Sequence, residues 1–153
     1  MLVKSIMQKN LVTVTPDMTF FEAASLLLKN HVSGAPVLDK RGKLVGILSE
    51  KDLFRALYPS YKKFYLYPQE YDNTKGMEET LSDAKHKKIS TIMSTRIISA
   101  TPETPVLKIG GLMVATGIHR VPVLEDGKVI GMVSRGDIYR AILQKDFNLY
   151  DGK

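Results

Sequence analysis

Ser49-Glu50-Lys51-Asp52-Leu53-Phe54-Arg55-Ala56-Leu57 returns later in the chain as Ser134-Arg135-Gly136-Asp137-Ile138-Tyr139-Arg140-Ala141-Ile142. Each phrase sets a serine three residues ahead of a carboxylate, with basic side chains close by. A carboxylate carries several acceptor sites for hydroxyl or amide donors. At a helix start it lies beside free backbone N–H groups and the positive end of the helix dipole, a combination that favours phosphate. The same Ser-x-x-Asp spacing also makes a sound N-cap and N3 pair, which can begin a helix with no ligand involved. Duplication leaves both uses open, because copying a unit copies its caps as well.

Other routes to chemistry are closed or thin. The chain of 153 residues contains no cysteine, which removes disulfides, thiolate nucleophiles and cysteine zinc sites. Its three histidines show no metal-ligand spacing; His31 and His86 read as ordinary polar residues. Neither a Gly-x-x-x-x-Gly-Lys-Ser/Thr loop nor a Gly-x-Gly-x-x-Gly turn is present. The expectation is a binding protein rather than an enzyme.

The repetition extends well beyond the two phrases. Ile6-Met7 matches Ile92-Met93, Thr15-Pro16-Asp17 matches Thr101-Pro102-Glu103, and Pro36-Val37-Leu38-Asp39 matches Pro122-Val123-Leu124-Glu125. The offset is 86 residues from Pro36 to Pro122 and 85 from Asp52 to Asp137, so one residue is dropped where DKRGK becomes EDGK. A tight turn is where such a loss is tolerated. Each copy reads strand, helix, strand, strand, helix. LVTVT and IISAT open the copies as short strands. Thr19-x-x-Glu22 has the form of a capping box before FFEAASLLLKN. APVLD and KLVGILS are two strands joined by a glycine-containing turn. The domains expected are residues 1–57, a linker at 58–87, residues 88–142, and a tail at 143–153. Neither copy can bury a large core alone, so the two are expected to pack together with pseudo-twofold symmetry.

The linker holds five of the seven tyrosines, Tyr58, Tyr61, Tyr65, Tyr67 and Tyr71. These either form a partner surface or pack over a domain edge. MEETLSDAKHKK follows, with acidic residues first and basic residues last, as a helix dipole favours. The net charge of +6 favours anionic partners. It gives a second reading, nucleic-acid binding through the basic surface and the aromatic linker. Lys62, Lys63, Lys85, Lys87 and Lys88 fall mid-chain and form no obvious recognition helix. No apolar run approaches the roughly 20 residues that cross a bilayer, and no secretory signal opens the chain. A cytoplasmic location is expected.

The doubled pattern of Ile-Met, Thr-Pro, x-Pro-Val-aliphatic-acid, Gly-Lys-aliphatic-aliphatic-Gly and Ser-x-x-Asp-aliphatic resembles a tandem pair of CBS domains, a Bateman module. The resemblance covers residues 1–57 and 88–142. It implies an α/β fold of two β-α-β-β-α units and a regulatory role. It also implies clefts between the units that bind AMP, ADP, ATP or S-adenosylmethionine as regulatory ligand. Family members use the phrase aspartate to accept hydrogen bonds from both ribose hydroxyls, which places that role on Asp52 and Asp137, with Ser49 and Ser134 at the caps. Thr15 and Thr101 match the position that lines the nucleotide, with Asp137 working beside Thr15 and Asp52 beside Thr101. Ser33 and Pro36 in copy one, and His119, Arg120 and Pro122 in copy two, fall on the loop near the phosphates. Arg120 offers a fork of donors where Gly34 has none. Lys51 and Arg135, inside the phrases, are further phosphate candidates. Family members commonly pair into a disc of four units, so a homodimer and an unidentified effector protein are expected.

Overall fold

The structure, a computed structural model, describes residues 1–58, 66–67 and 74–149, with only the backbone at 74–77. The linker residues Tyr61, Lys62, Lys63, Tyr65 and Tyr71 lie outside the described residues. Copy one supplies α1 (Phe20–Lys29), β1 (Gly34–Leu38), β2 (Leu44–Ser49) and α2 (Glu50–Leu57). After α3 (Thr74–Lys85), copy two supplies α4 (Val106–Thr116), β3 (Arg120–Glu125), β4 (Lys128–Ser134) and α5 (Arg135–Asp146). One-turn 3₁₀ helices at Val3–Ser5 and Ile89–Thr91 precede the copies. The mixed helix-and-strand class read from the sequence is the one observed.

The capping box at α1 forms as its spacing predicts: Glu22 N–H donates to Thr19 Oγ1 at 3.2 Å, and Thr19 N–H donates to Glu22 Oε2 at 2.8 Å. Both copies leave their first helix through a left-handed residue. It is Gly117 in copy two, with φ of 72°, and His31 in copy one, with φ of 53°. The backbone of His31 therefore takes a conformation that glycine adopts without steric cost. The shortened turn between β3 and β4 uses Asp126 and Gly127, both at positive φ, between the paired residues Glu125 and Lys128. That is the two-residue hairpin chemistry for which Asp-Gly is suited.

The expected opening strands shrink to single parallel bridges, Val14 with Val37 and Ala100 with Val123. Proline explains the contraction. Val14 N–H donates to Pro36 O and accepts, through its carbonyl, from Leu38 N–H; Ala100 does the same with Pro122 and Leu124. Extending the ladder backwards would need an N–H from Pro36 or Pro122, and extending it forwards one from Pro16 or Pro102. None of these residues has one, so each bridge is closed on both sides.

The molecule divides into two compact units. One contains Met1–Leu11, Gly42–Leu44 and Arg96–Lys153, and the other Val12–Arg41 and Val45–Thr95. The core of the second unit is Val14, Ala23, Leu27, Ala35, Val37, Leu48, Leu53 and Ile89. That of the first is Val3, Ala100, Ile109, Met113, Val121, Val123, Val133 and Ile138, with Val106 added. The two lists agree position by position at the repeat offset, except that Val3 and Ile89 have changed places. Each unit thus closes its core with the short 3₁₀ segment that precedes the other copy.

The segment that follows this 3₁₀ turn crosses the last strand closely. Gln8 and Met132 exchange backbone hydrogen bonds at 2.8 and 3.0 Å, as do Ser94 and Ile47 at 2.9 Å each. The approach is possible because the strands carry Gly131 and Gly46 there. A β-carbon at Gly131 would lie 2.8 Å from Met7 Sδ and 3.2 Å from Gln8 O, and one at Gly46 would lie 2.5 Å from Met93 Sδ. These glycines serve close backbone passage, as glycine in a strand interior often does.

Candidate functional site

Both helix starts predicted to carry chemistry are built as the spacing requires. In α2, Asp52 N–H donates to Ser49 Oγ at 3.3 Å, while Ser49 N–H and Ser49 Oγ donate to Asp52 Oδ2 at 2.9 and 2.8 Å. In α5 the corresponding bonds to Ser134 Oγ and Asp137 Oδ2 measure 3.2, 2.8 and 2.6 Å. One carboxylate oxygen of each aspartate is therefore spent on its own cap.

The second oxygen differs between the copies. Asp137 Oδ1 accepts from Arg140 Nη2 at 2.6 Å and from Gln8 Nε2 at 3.2 Å, and the residue is only 8% exposed. Asp52 Oδ1 accepts no hydrogen bond among the described residues, and the residue is half-buried. Asp52 instead faces an open cleft of about 440 Å³, lined also by Arg55, Ala56, Tyr58, Lys87, Thr91 and Ile92. Arg55 lies within the repeated phrase but is not among the residues expected at the site, while Lys87 and Thr91 fall outside the phrases and reach the cleft through the fold.

The remaining predicted residues fall into place around these starts. Glu50 N–H donates to Ser33 O at 3.0 Å, and Arg135 N–H donates to His119 O at 3.0 Å, so each loop ahead of β1 or β3 is tied to its helix start. Arg120 pairs across the sheet with Ser134. Arg135 Nη1 lies 3.4 Å from His119 Nε2. Copy two thus gathers His119, Arg120, Ser134, Arg135 and Asp137, and copy one gathers Ser33, Ser49, Lys51 and Asp52. Lys51 is exposed and, with Phe54, Arg55 and Tyr58, lines a second depression of about 370 Å³. The Phe54 and Tyr58 rings lie 5.0 Å apart there, at a tilt of 53°.

Thr15 and Thr101 are exposed beside the two bridges. The Thr101 hydroxyl lies 3.0 Å from that of Thr104, a contact that copy one lacks because Met18 occupies the matching place. Pro36 and Pro122 are fully buried within β1 and β3, where their carbonyls hold the bridges. Among the described residues no group of three or more histidine, aspartate or glutamate side chains could hold a metal. No helix among them is long and apolar enough to cross a membrane.

Fold and site together define a tandem of one α/β unit, each copy ending in a helix that starts on a capped carboxylate. The chain belongs to the CBS domain family, whose model matches residues 3–59 and 89–144. It is 36% identical over 155 residues to protein MJ1426 of Methanocaldococcus jannaschii, across 94% of this chain and 92% of that one. Among solved structures it is similar to the CBS domain pair of protein MJ0100 in complex with 5′-methylthioadenosine and S-adenosyl-L-methionine. That match has a TM-score of 0.73 and 29% identity, covering 95% of this chain and 98% of that one. It is similar also to CBSX2 of Arabidopsis thaliana in complex with AMP, with a TM-score of 0.69 and 27% identity over 95% and 98% of the two chains.

Proposed function

We propose that this chain is a regulatory module that binds an adenosyl ligand, AMP, ADP, ATP or S-adenosylmethionine, and reports it to an effector protein. The observation that carries the reading is the open Oδ1 of Asp52, held by its cap at a helix start and facing a cleft with Arg55 and Lys87. A fixed carboxylate takes the ribose hydroxyls, while the cations and the helix start suit phosphate. Ser49 caps the helix and fixes that carboxylate, and Lys51 and Ser33 complete the site. In copy two the same roles fall to Ser134, Asp137, His119, Arg120 and Arg135, with Thr15 and Thr101 lining the ligand and Pro36 and Pro122 shaping the strands beside it. The complexes of MJ0100 and CBSX2 support the ligand class. The test is a thermal-shift panel of AMP, ADP, ATP, S-adenosylmethionine and NAD. A rise in melting temperature that grows with ligand concentration is expected for at least one adenosyl compound. No shift with any of them, together with oligonucleotide binding that falls steeply with salt, would favour nucleic acid instead.

The assembly proposed is a homodimer. Phe21 and Leu28 on α1 are exposed, and so are Leu107 and Val114 at the matching places on α4, with Leu28 at 80% and Val114 at 85%. Phe54 on α2 and Tyr139 on α5 repeat the pattern. Apolar side chains exposed at the same positions of both copies form a face suited to self-association. The double variant Leu28→Glu, Val114→Glu is expected to halve the mass read by light scattering and to leave the fold unchanged by circular dichroism. An unchanged mass would place the interface elsewhere.

A further inference from the structure

The two helix starts share an arginine, Arg55 or Arg140, but differ at two positions around one carboxylate oxygen. Arg140 folds back over the first turn of α5 to reach Asp137 Oδ1, passing over Gly136, an uncharged residue four positions before it. A β-carbon at Gly136 would only touch Arg140 Nη1, at 3.4 Å, so what matters at this position is the charge of the side chain. In copy one that place is Lys51, a like charge at i, i+4 to Arg55, which opposes the same fold-back. Arg55 forms no ion pair among the described residues. The second differing position is Gln8, whose amide also donates to Asp137 Oδ1. Its counterpart Ser94 is held by the same backbone pairing to the strand but makes no bond to Asp52.

We propose that Gln8, Gly136 and Arg140 form a latch that closes the Asp137 site, so that adenosyl ligand fills the Asp52 site first and reaches Asp137 only by displacing Arg140 and Gln8. The proposal rests on the adenosyl-ligand reading above and adds an order of filling to it. A carboxylate that already accepts a charge-assisted bond and an amide bond gains little from exchanging them for ribose hydroxyls. Asp52 has no such bonds to give up. Ligand that does open the latch frees the Arg140 guanidinium on the helix that begins at Arg135, so the weaker site gains a phosphate donor as it opens.

The experiment is calorimetric titration of the full chain with AMP. The parent protein is expected to show a tight class and a second class at least about tenfold weaker. Gln8→Ser with Gly136→Lys gives copy two the residues of copy one and keeps Arg140. Copy one carries Lys51 at the same place in the first turn of α2, so the variant is not expected to lose its fold. It is expected to bring the weak class to within about threefold of the tight one. The reciprocal pair, Ser94→Gln with Lys51→Gly, is titrated with adenosine so that a lost phosphate contact plays no part. It is expected to weaken the tight class about tenfold. AMP binding whose two classes ignore both exchanges would overturn the latch and leave the adenosyl reading standing. The absence of binding by adenosine, AMP, ADP, ATP and S-adenosylmethionine in every form, read by calorimetry and by thermal shift, would overturn that reading and the latch with it.

Discussion

Ile89→Ala is expected to destabilise the unit built from copy one, although Ile89 lies in the part of the sequence that reads as copy two. The side chain is fully buried among Val14, Ala23, Leu27, Val37, Leu48 and Leu53. Truncating a buried isoleucine to alanine costs about 2–5 kcal/mol, from lost transfer energy and from the cavity left behind. The measurement that assigns the loss to a unit is native-state hydrogen exchange. Amides of α1, β1 and β2 are expected to lose protection, while those of β3 and β4 keep it. Protection lost in β3 and β4 alone would mean that the 3₁₀ segment at Ile89–Thr91 serves its own copy. Val3→Ala is the mirror experiment: it acts on the other core and is expected to expose β3 and β4 instead.

The exchange of Val3 and Ile89 shows where the sequence stops being informative. The order of helices and strands was legible because apolar spacing and turn residues are local signals that both copies repeat. The caps were legible too, since Thr19-Glu22, Ser49-Asp52 and Ser134-Asp137 are local patterns whose partners lie three residues away. The 3₁₀ segments are three residues long and have no period, so nothing in them names the sheet they will cover. The opening strands were overread for a related reason. β-branched residues in LVTVT and IISAT favour extended backbone, but pairing also needs donors on the neighbouring strand, and Pro36 and Pro122 withhold them. At the site, the repeat identified Asp52 and Asp137 as equivalent, and their chemistry separates them. The signal was present in the alignment at Gln8 against Ser94 and Gly136 against Lys51, where the copies disagree. Only the fold brings Gln8 to a carboxylate 129 residues away.

Asp52→Ala is expected to weaken AMP binding at the tight site by about ten- to a hundredfold, as the loss of about 1–3 kcal/mol of hydrogen bonding to ribose hydroxyls requires. The same substitution removes the bonds that Asp52 Oδ2 accepts from Ser49, so it also weakens the start of α2. Loss of capping alone costs about 0.5–2 kcal/mol of stability, and a lower melting temperature by itself would say nothing about ligand. Ser49→Ala separates the two effects. It removes the hydroxyl that accepts from Asp52 N–H and keeps the carboxylate, so it is expected to melt earlier and to bind AMP nearly as the parent does. Asp52→Asn makes the converse change: it keeps one acceptor oxygen for Ser49 and takes the charge and the second acceptor from the cleft. This variant is expected to melt close to the parent and to bind AMP poorly. If Asp52→Ala and Ser49→Ala melt alike and all three variants bind AMP as the parent does, the Ser-x-x-Asp phrase of copy one is a helix cap and the ribose contact lies elsewhere.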